Sequence, residues 1–234
     1  MTIFVKEKFI WLKVNGEEDQ KLTPELYLAE EQAQKVCSFL GGLHPLFGDQ
    51  DHELDELYSP FYGQGNNFSE EAVLFPGSFS PWHEGHEACI SGQEQGPVVI
   101  IPDFNPWKEV RQDSTWNELR TLWLFAGKRK RVSLFSGFLG KGEKNPTASW
   151  LPDLVVKKKW LLMGDDSFLS LNQWKDVDVL VDSLEGILVC PRQGLEAALS
   201  QQAKQLSTGR TIDIRFLPPH PFQDISSTQL RNSK

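Results

Sequence analysis

From residue 71 onward the chain alternates short apolar runs with intervals long enough to hold a helix, the pattern that a βαβ succession writes into sequence. Six runs stand out, at 72–75, 98–101, 132–135, 159–163, 186–190 and 212–217, all rich in Val, Ile, Leu and Phe. None alternates cleanly between apolar and polar residues, so both faces of these strands are expected to be buried. Between them, Thr115-Trp116-Asn117-Glu118 has the spacing of a capping box ahead of Leu119, Leu122 and Trp123, and 195–206 carries apolar residues at helical intervals. The expected fold is α/β, an open, mostly parallel sheet with helices on both faces.

The first 70 residues read differently. Residues 9–14 alternate, Asn15-Gly16 makes a turn, and Thr23-Pro24 is expected to open a helix. Gly41-Gly42, Pro45, Gly48, Pro60, Gly63 and Gly65 then punctuate a stretch that is acidic over 49–56, which suggests a loop or linker. Residues 1–70 are therefore expected to be a small N-terminal α+β extension of unknown role, and 71–234 the domain that bears the motifs.

Composition narrows the partners. With 39% hydrophobic and 24% charged residues in 234, the chain has material for a sizeable core and is not disordered. A net charge of -8 opposes DNA and anionic membranes, while a small phosphorylated ligand needs only a few local donors. No run approaches the ~20 apolar residues of a membrane span, and the charged start carries no visible signal peptide, so a cytoplasmic location is expected. Cys37, Cys89 and Cys190 stand far apart without a Cys-x-x-Cys pair, which argues against a structural zinc site or a disulfide framework and for a reducing compartment. The cationic runs 128–131 and 157–159 each precede an expected strand, where solvated charge is commoner than a nucleic-acid patch.

The chemistry is concentrated in Val73-Leu74-Phe75-Pro76-Gly77-Ser78-Phe79-Ser80-Pro81-Trp82-His83-Glu84-Gly85-His86. A buried strand runs into a glycine turn and two histidines before a helix, so backbone N–H groups and the helix start would face an anion at the carboxyl edge of the sheet. His83 and His86 would add imidazole donors, although two histidines so placed also serve merely as helix caps. At the far end of the chain stands Asp224-Ile225-Ser226-Ser227-Thr228-Gln229-Leu230-Arg231.

Together, Gly-Ser-Phe-x-Pro-x-His-x-Gly-His and Ile-Ser-Ser-Thr-x-x-Arg resemble the nucleotidylyltransferase superfamily, specifically the nicotinate or nicotinamide mononucleotide adenylyltransferases, over residues 71–234. The resemblance implies a Rossmann-like sheet. It also implies that His83, His86 and Arg231 are catalytic, and that Gly77, Ser78, Phe79, Gly85, Ser226, Ser227, Thr228 and Lys108 hold ATP phosphates. Met163-Gly164-Asp165-Asp166-Ser167, followed by Leu171-Asn172-Gln173-Trp174, is similar to a further family segment. By that likeness Gly164, Asp166 and Ser167 line the nucleotide cleft and Trp174 stacks on the pyridine ring. Asn145-Pro146-Thr147 and Cys190-Pro191-Arg192 resemble two more stretches, which adds Thr147 and Arg192 to the mononucleotide side.

Departures stand beside the likeness. Ser80 takes the place of the family's usual Asp and Ser78 that of Thr, Asn105-Pro106-Trp107-Lys108 replaces Pro-Pro-His-Lys, and three residues follow Arg231 where the family continues a longer helix. The activity implied is adenylyl transfer from ATP to a pyridine mononucleotide, with Mg²⁺ bound through substrate phosphates and water and no protein metal site. Two alternatives stay open: a relative with another phosphate acceptor, and a catalytically weakened nucleotide-binding or sensor protein. Neither nucleic acid nor membrane is an expected partner, and homo-oligomerisation is left open, as is nicotinate against nicotinamide.

Overall fold

Local sequence and long-range packing agree best in the strands. The computed structural model describes residues 1–7, 9–47, 68, 70–103, 114–192 and 196–232. In chain order the elements are β1 (Thr2–Lys6), β2 (Phe9–Lys13), β3 (Gln20–Lys21), α1 (Glu30–Gly42), β4 (Glu71–Gly77), α2 (Glu84–Ser91), β5 (Val98–Pro102), α3 (Thr115–Ala126) and β6 (Val132–Leu134). There follow β7 (Lys158–Gly164), α4 (Asp165–Leu169), α5 (Val177–Asp182), β8 (Gly186–Cys190), α6 (Glu196–Leu206), β9 (Asp213–Phe216) and α7 (Ser227–Asn232). All six apolar runs are strands, and they form one wholly parallel sheet in the order β6-β5-β4-β7-β8-β9. The architecture is Rossmann-like.

The chain steps outward from β4 through β5 to β6, then returns to place β7 on the other side of β4, so strand order reverses between β4 and β7. A crevice opens at the carboxyl edge of such a switch point. Register makes that edge level, since Gly77 pairs with Pro102 and Gly164 with Cys190. Alternate strand residues feed two cores. Val73, Phe75, Val98, Ile100, Trp160 and Leu162 pack beneath α2 and α3, and Leu74, Val99, Ile101, Leu161, Met163 and Val189 pack with Phe168, Leu180 and Leu199 on the opposite face. Burial of both faces explains the unbroken apolar runs of β4 to β8; β9 departs from the expectation, because as an edge strand it leaves Asp213, Arg215 and Phe216 exposed.

The N-terminal segment joins the first of these cores. β1, β2 and β3 make an antiparallel sheet, and its Ile10 and Leu12, with Ala33, Val36, Cys37 and Leu40 of α1, are buried in one cluster with Val73, Trp116, Leu119 and Leu122. Polar contacts reinforce the union: Trp116 Nε1 donates to Leu26 O at 2.6 Å, Ser136 Oγ to Cys37 O at 3.0 Å, and the Thr115 N–H to the Glu30 carboxylate at 3.1 Å.

Four details differ from expectation. The first helix begins at Glu30; Thr23 only accepts from the Leu26 N–H in a single turn, because Leu22 and Leu28 are drawn into the core from non-helical backbone. Gly41 and Gly42 belong to α1, not to a loop; Gly48, Pro60, Gly63, Gly65 and the acidic stretch 49–56 lie outside the described residues. Ser114, not Thr115, caps α3 by accepting from the Asn117 N–H, since the Thr115 hydroxyl is engaged by Glu30. Cys89 and Cys190 form a disulfide, with their Cα atoms 5.5 Å apart across 101 residues of sequence, because α2 packs on the sheet face that Cys190 lines. Among the described residues no helix is long and apolar enough to cross a membrane.

Candidate active site

Beyond Gly77 the chain reverses sharply, with Phe79 in the left-handed region at φ 44° and the Ser80–Pro81 peptide cis. The Phe79 ring turns back onto Phe75 and Trp82, at 5.0 and 5.2 Å between centroids, and this packing defines the loop. His83 then caps α2. Its Nδ1 accepts from the Gly85 N–H at 3.1 Å, while His86 Nδ1 accepts from the His83 N–H at 3.3 Å, a reciprocal pairing that ties both rings to the helix start. The two rings stack at 3.8 Å. With each Nδ1 acting as acceptor, the neutral imidazoles carry their protons on Nε2, as hydrogen-bond donors. Capping and anion binding are thus compatible roles for different nitrogens of one ring.

The second motif docks onto the first. Ser226 caps α7, its Oγ accepting from the Gln229 N–H at 3.1 Å. Ser227 Oγ donates to Pro81 O at 3.0 Å, across 146 residues of sequence. Arg231 donates to Ser80 O and, at 2.9 Å, to Thr228 Oγ1. Both acceptors are neutral, and among the described residues Arg231 has no carboxylate partner, so its charge is available to an anion. Gly85 permits the approach, because a Cβ there would stand 3.3 Å from Phe222 O.

The opposite wall is built at the ends of β7 and β8. Asp165, 2% exposed, accepts from the Arg192 N–H at 2.8 Å, and Asp166 pairs with the Arg192 guanidinium at 3.3 Å while accepting from the Ser167 N–H at 2.8 Å. Arg192 Nη2 continues to Ile225 O at 2.8 Å, one residue before the serines. A Cβ on Gly164 would lie 2.7 Å from Asp166 Oδ1 and 3.3 Å from Arg192 Cδ, so a larger residue there would displace this carboxylate from its present position. Asn145 Nδ2 donates to Asp103 at 3.0 Å, and the Asp103 N–H to Gly77 O at 2.9 Å, which brings the Thr147 segment beside the phosphate loop.

Gly77, Ser78, Phe79, His83, Gly85, His86, Ser226, Ser227, Thr228 and Arg231 thus share one side of the edge, and Gly164, Asp166, Ser167 and Arg192 the other. Trp174 is half-buried against the core under α5. Lys108 lies outside the described residues, as do Asn105, Pro106 and Trp107. Two residues were missed. Asp165 and Asp103 orient Arg192 and Asn145, and only their place directly after strand ends hinted at it. His220 sits in the same segment as Phe222; burial and then the nearby Arg192 charge hold its imidazole below the usual value.

No family model matches the chain. Curated relatives do, each carrying the name "Probable nicotinate-nucleotide adenylyltransferase". The protein from Leptospira interrogans is 28% identical over 171 residues, covering 68% of this chain and 83% of its own. That from Sulfurimonas denitrificans is 30% identical over 170 residues, covering 69% and 84%. That from Aquifex aeolicus is 27% identical over 171 residues, covering 67% and 99%.

Proposed function

The chain belongs to the nicotinate-nucleotide adenylyltransferase family, and from that premise we propose that it transfers the adenylyl group of ATP to nicotinate mononucleotide, giving the dinucleotide and pyrophosphate, in the cytoplasm. One observation carries the assignment of the site: Ser227 and Arg231 close on Pro81 and Ser80, so two motifs remote in sequence make one anion-binding surface. The attacking mononucleotide phosphate is already anionic and needs no protein nucleophile. The protein's task is to align two phosphates and to stabilise charge on the departing pyrophosphate.

His83 and His86 supply Nε2–H donors, Arg231 a fixed charge, and residues 77–79, Gly85 and 226–228 backbone and hydroxyl donors to ATP. Gly164, Asp166, Ser167 and Arg192 shape the mononucleotide side, with Thr147 and Trp174 toward the pyridine. ATP enters as its magnesium complex, in which the ion offsets phosphate charge. No carboxylate stands in the 78–83 loop, and the Ser80 hydroxyl there is buried with no hydrogen-bond partner among the described residues. Such a donor set suits a metal carried by phosphate and water rather than one caged by protein.

Pyrophosphate release from MgATP, measured with nicotinate mononucleotide, nicotinamide mononucleotide, phosphopantetheine and sugar phosphates, tests the proposal. Nicotinate mononucleotide should give the highest kcat/KM. Preference for a non-pyridine phosphate, or ATP binding without turnover of any acceptor, would overturn it.

A further inference from the structure

Two cysteines and a histidine meet between the walls of the cleft, and the transfer chemistry uses none of them. Cys89 lies in α2, three residues beyond His86; Cys190 ends β8, two residues before Arg192. One ring nitrogen of His220 and the two sulfurs lie within 4.8 Å of one another. The Cα separation of 5.5 Å lets the sulfurs bond without backbone movement. His220 Nδ1 accepts from the Phe222 N–H at 3.2 Å, so the neutral ring is protonated at Nε2, which is enclosed by protein and has no hydrogen-bond partner among the described residues.

Such a trio serves either a soft metal or thiol redox chemistry. The Nδ1 lone pair is taken by the Phe222 N–H and the neutral ring then carries its proton on Nε2, which leaves no free lone pair for a metal, whereas an imidazole beside sulfur favours a thiolate. In the cytoplasm, disulfides are mostly transient and redox-sensing. A groove of about 250 Å³ lined by Gln93, Glu94, Gln95, Leu188, Arg215 and Leu217 lies one helical turn from Cys89 and two strand residues from Cys190, while the cysteines themselves are buried behind it, so exchange requires a local opening of the α2 end.

We propose that Cys89, Cys190 and His220 form a thiol–disulfide exchange site that accepts low-molecular-weight disulfides and slows adenylyl transfer when its bridge closes. The second half rests on the function proposed above. One thiolate attacks a sulfur of the incoming disulfide, forming a mixed disulfide and expelling one thiolate; the other cysteine's thiolate then displaces the second. The two cysteines lose two electrons, the small disulfide gains them, and the two protons end on its two thiols. His220 holds its N–H toward the sulfurs and positions the thiolate. The closed bridge ties the helix carrying the phosphate donors to the strand end carrying Arg192, and so restrains the relative movement that binding two substrates and releasing a joined product requires.

The test uses the full chain incubated with glutathione disulfide or with dithiothreitol. Mass spectrometry of trapped thiols should show a Cys89–Cys190 bridge in the first sample and two thiols in the second. Bridged protein should turn over at least about threefold more slowly and recover with dithiothreitol. Cys89→Ser and Cys190→Ser should keep the reduced rate and ignore glutathione disulfide, and His220→Gln should slow bridge formation by about tenfold. Four results would overturn the proposal: thiols inert to glutathione disulfide, a bridge that native protein keeps in dithiothreitol, equal turnover in both forms, or stoichiometric zinc binding lost in Cys190→Ser and His220→Gln. If neither form makes pyrophosphate, the function reading fails, and the mass and exchange-rate measurements still judge the thiol site on their own.

Discussion

Replacing His86 in two ways separates what its ring does for the helix from what it does for phosphate. Its Nδ1 accepts from the His83 N–H at 3.3 Å, it stacks on His83 at 3.8 Å, and Phe79 and Trp82 meet it at 5.1 and 5.0 Å. Loss of the cap bond costs about 1 kcal/mol, and loss of the ring contacts about 1–2 kcal/mol more. His86→Ala should therefore lose about 2–3 kcal/mol and melt about 4–12 °C lower. Asparagine places its amide oxygen near the present Nδ1 position, so His86→Asn should keep the cap and lose only about 1–2 kcal/mol of ring packing. It nevertheless lacks Nε2–H, and its kcat should fall about 10²-fold or more, the usual loss when one donor to developing charge is removed. His86→Gln, whose amide nitrogen reaches toward Nε2, should recover part of that rate. Thermal melts and pyrophosphate release at saturating substrates give both quantities. A His86→Asn protein with kcat within about threefold of the parent would refute the reasoning, because phosphate would then not meet this ring.

Arg231→Lys should raise KM for ATP about tenfold with little change in melting, since an ammonium cannot hold Ser80 O and Thr228 Oγ1 while facing an anion; an unchanged KM would contradict this. Leu40→Ala should cost about 2–5 kcal/mol by opening a cavity in the shared core, and an unaltered melt would mean that α1 docks loosely. Because His220 titrates below its unfolded value, the unfolded chain takes up its proton first as pH falls; stability held above about pH 6.5 should decline toward pH 5, less steeply in His220→Gln. Equal slopes would remove that attribution. Trp174→Ala should raise KM for the mononucleotide but not for ATP, losing about 2 kcal/mol from its half-buried packing; parallel changes in both KM values would assign it to the core alone.

Five of the six strands were legible because burial on both faces leaves an unbroken apolar run such as Val98-Val99-Ile100-Ile101, which little else in a polar chain imitates, whereas the exposed edge strand β9 was legible only from its β-branched and aromatic residues. The two motifs at 77–86 and 225–231 were legible because their residue types and spacing together resemble one known family. What was not legible depends on long-range contact. Glu30 reaches Thr115 across 85 residues and shifts a cap by one position, and nothing local in either segment foretells that. Likewise, the absence of a Cys-x-x-Cys pair speaks only to local frameworks, while Cys89 and Cys190 meet because a helix crosses a strand end. Asp165 and Asp166 are chemically alike in sequence; burial makes the first a fixed acceptor for the Arg192 N–H, while the second stays exposed and pairs with the Arg192 guanidinium. Residues 1–70 read as an extension of unknown role because an amphipathic helix such as α1 does not announce which core it packs against.

The 146 residues that separate Pro81 from Ser227 also impose an order in time. A ribosome adding about 5–20 residues per second needs about 7–30 s to pass from one to the other. Throughout that interval the 77–83 loop exists without Ser227 and Arg231, the residues that close on it. On the function proposed above, a ligand that needs both motifs meets its complete site only after all six parallel strands have been synthesised. Its binding then adds stability to a fold whose sheet is already in hand.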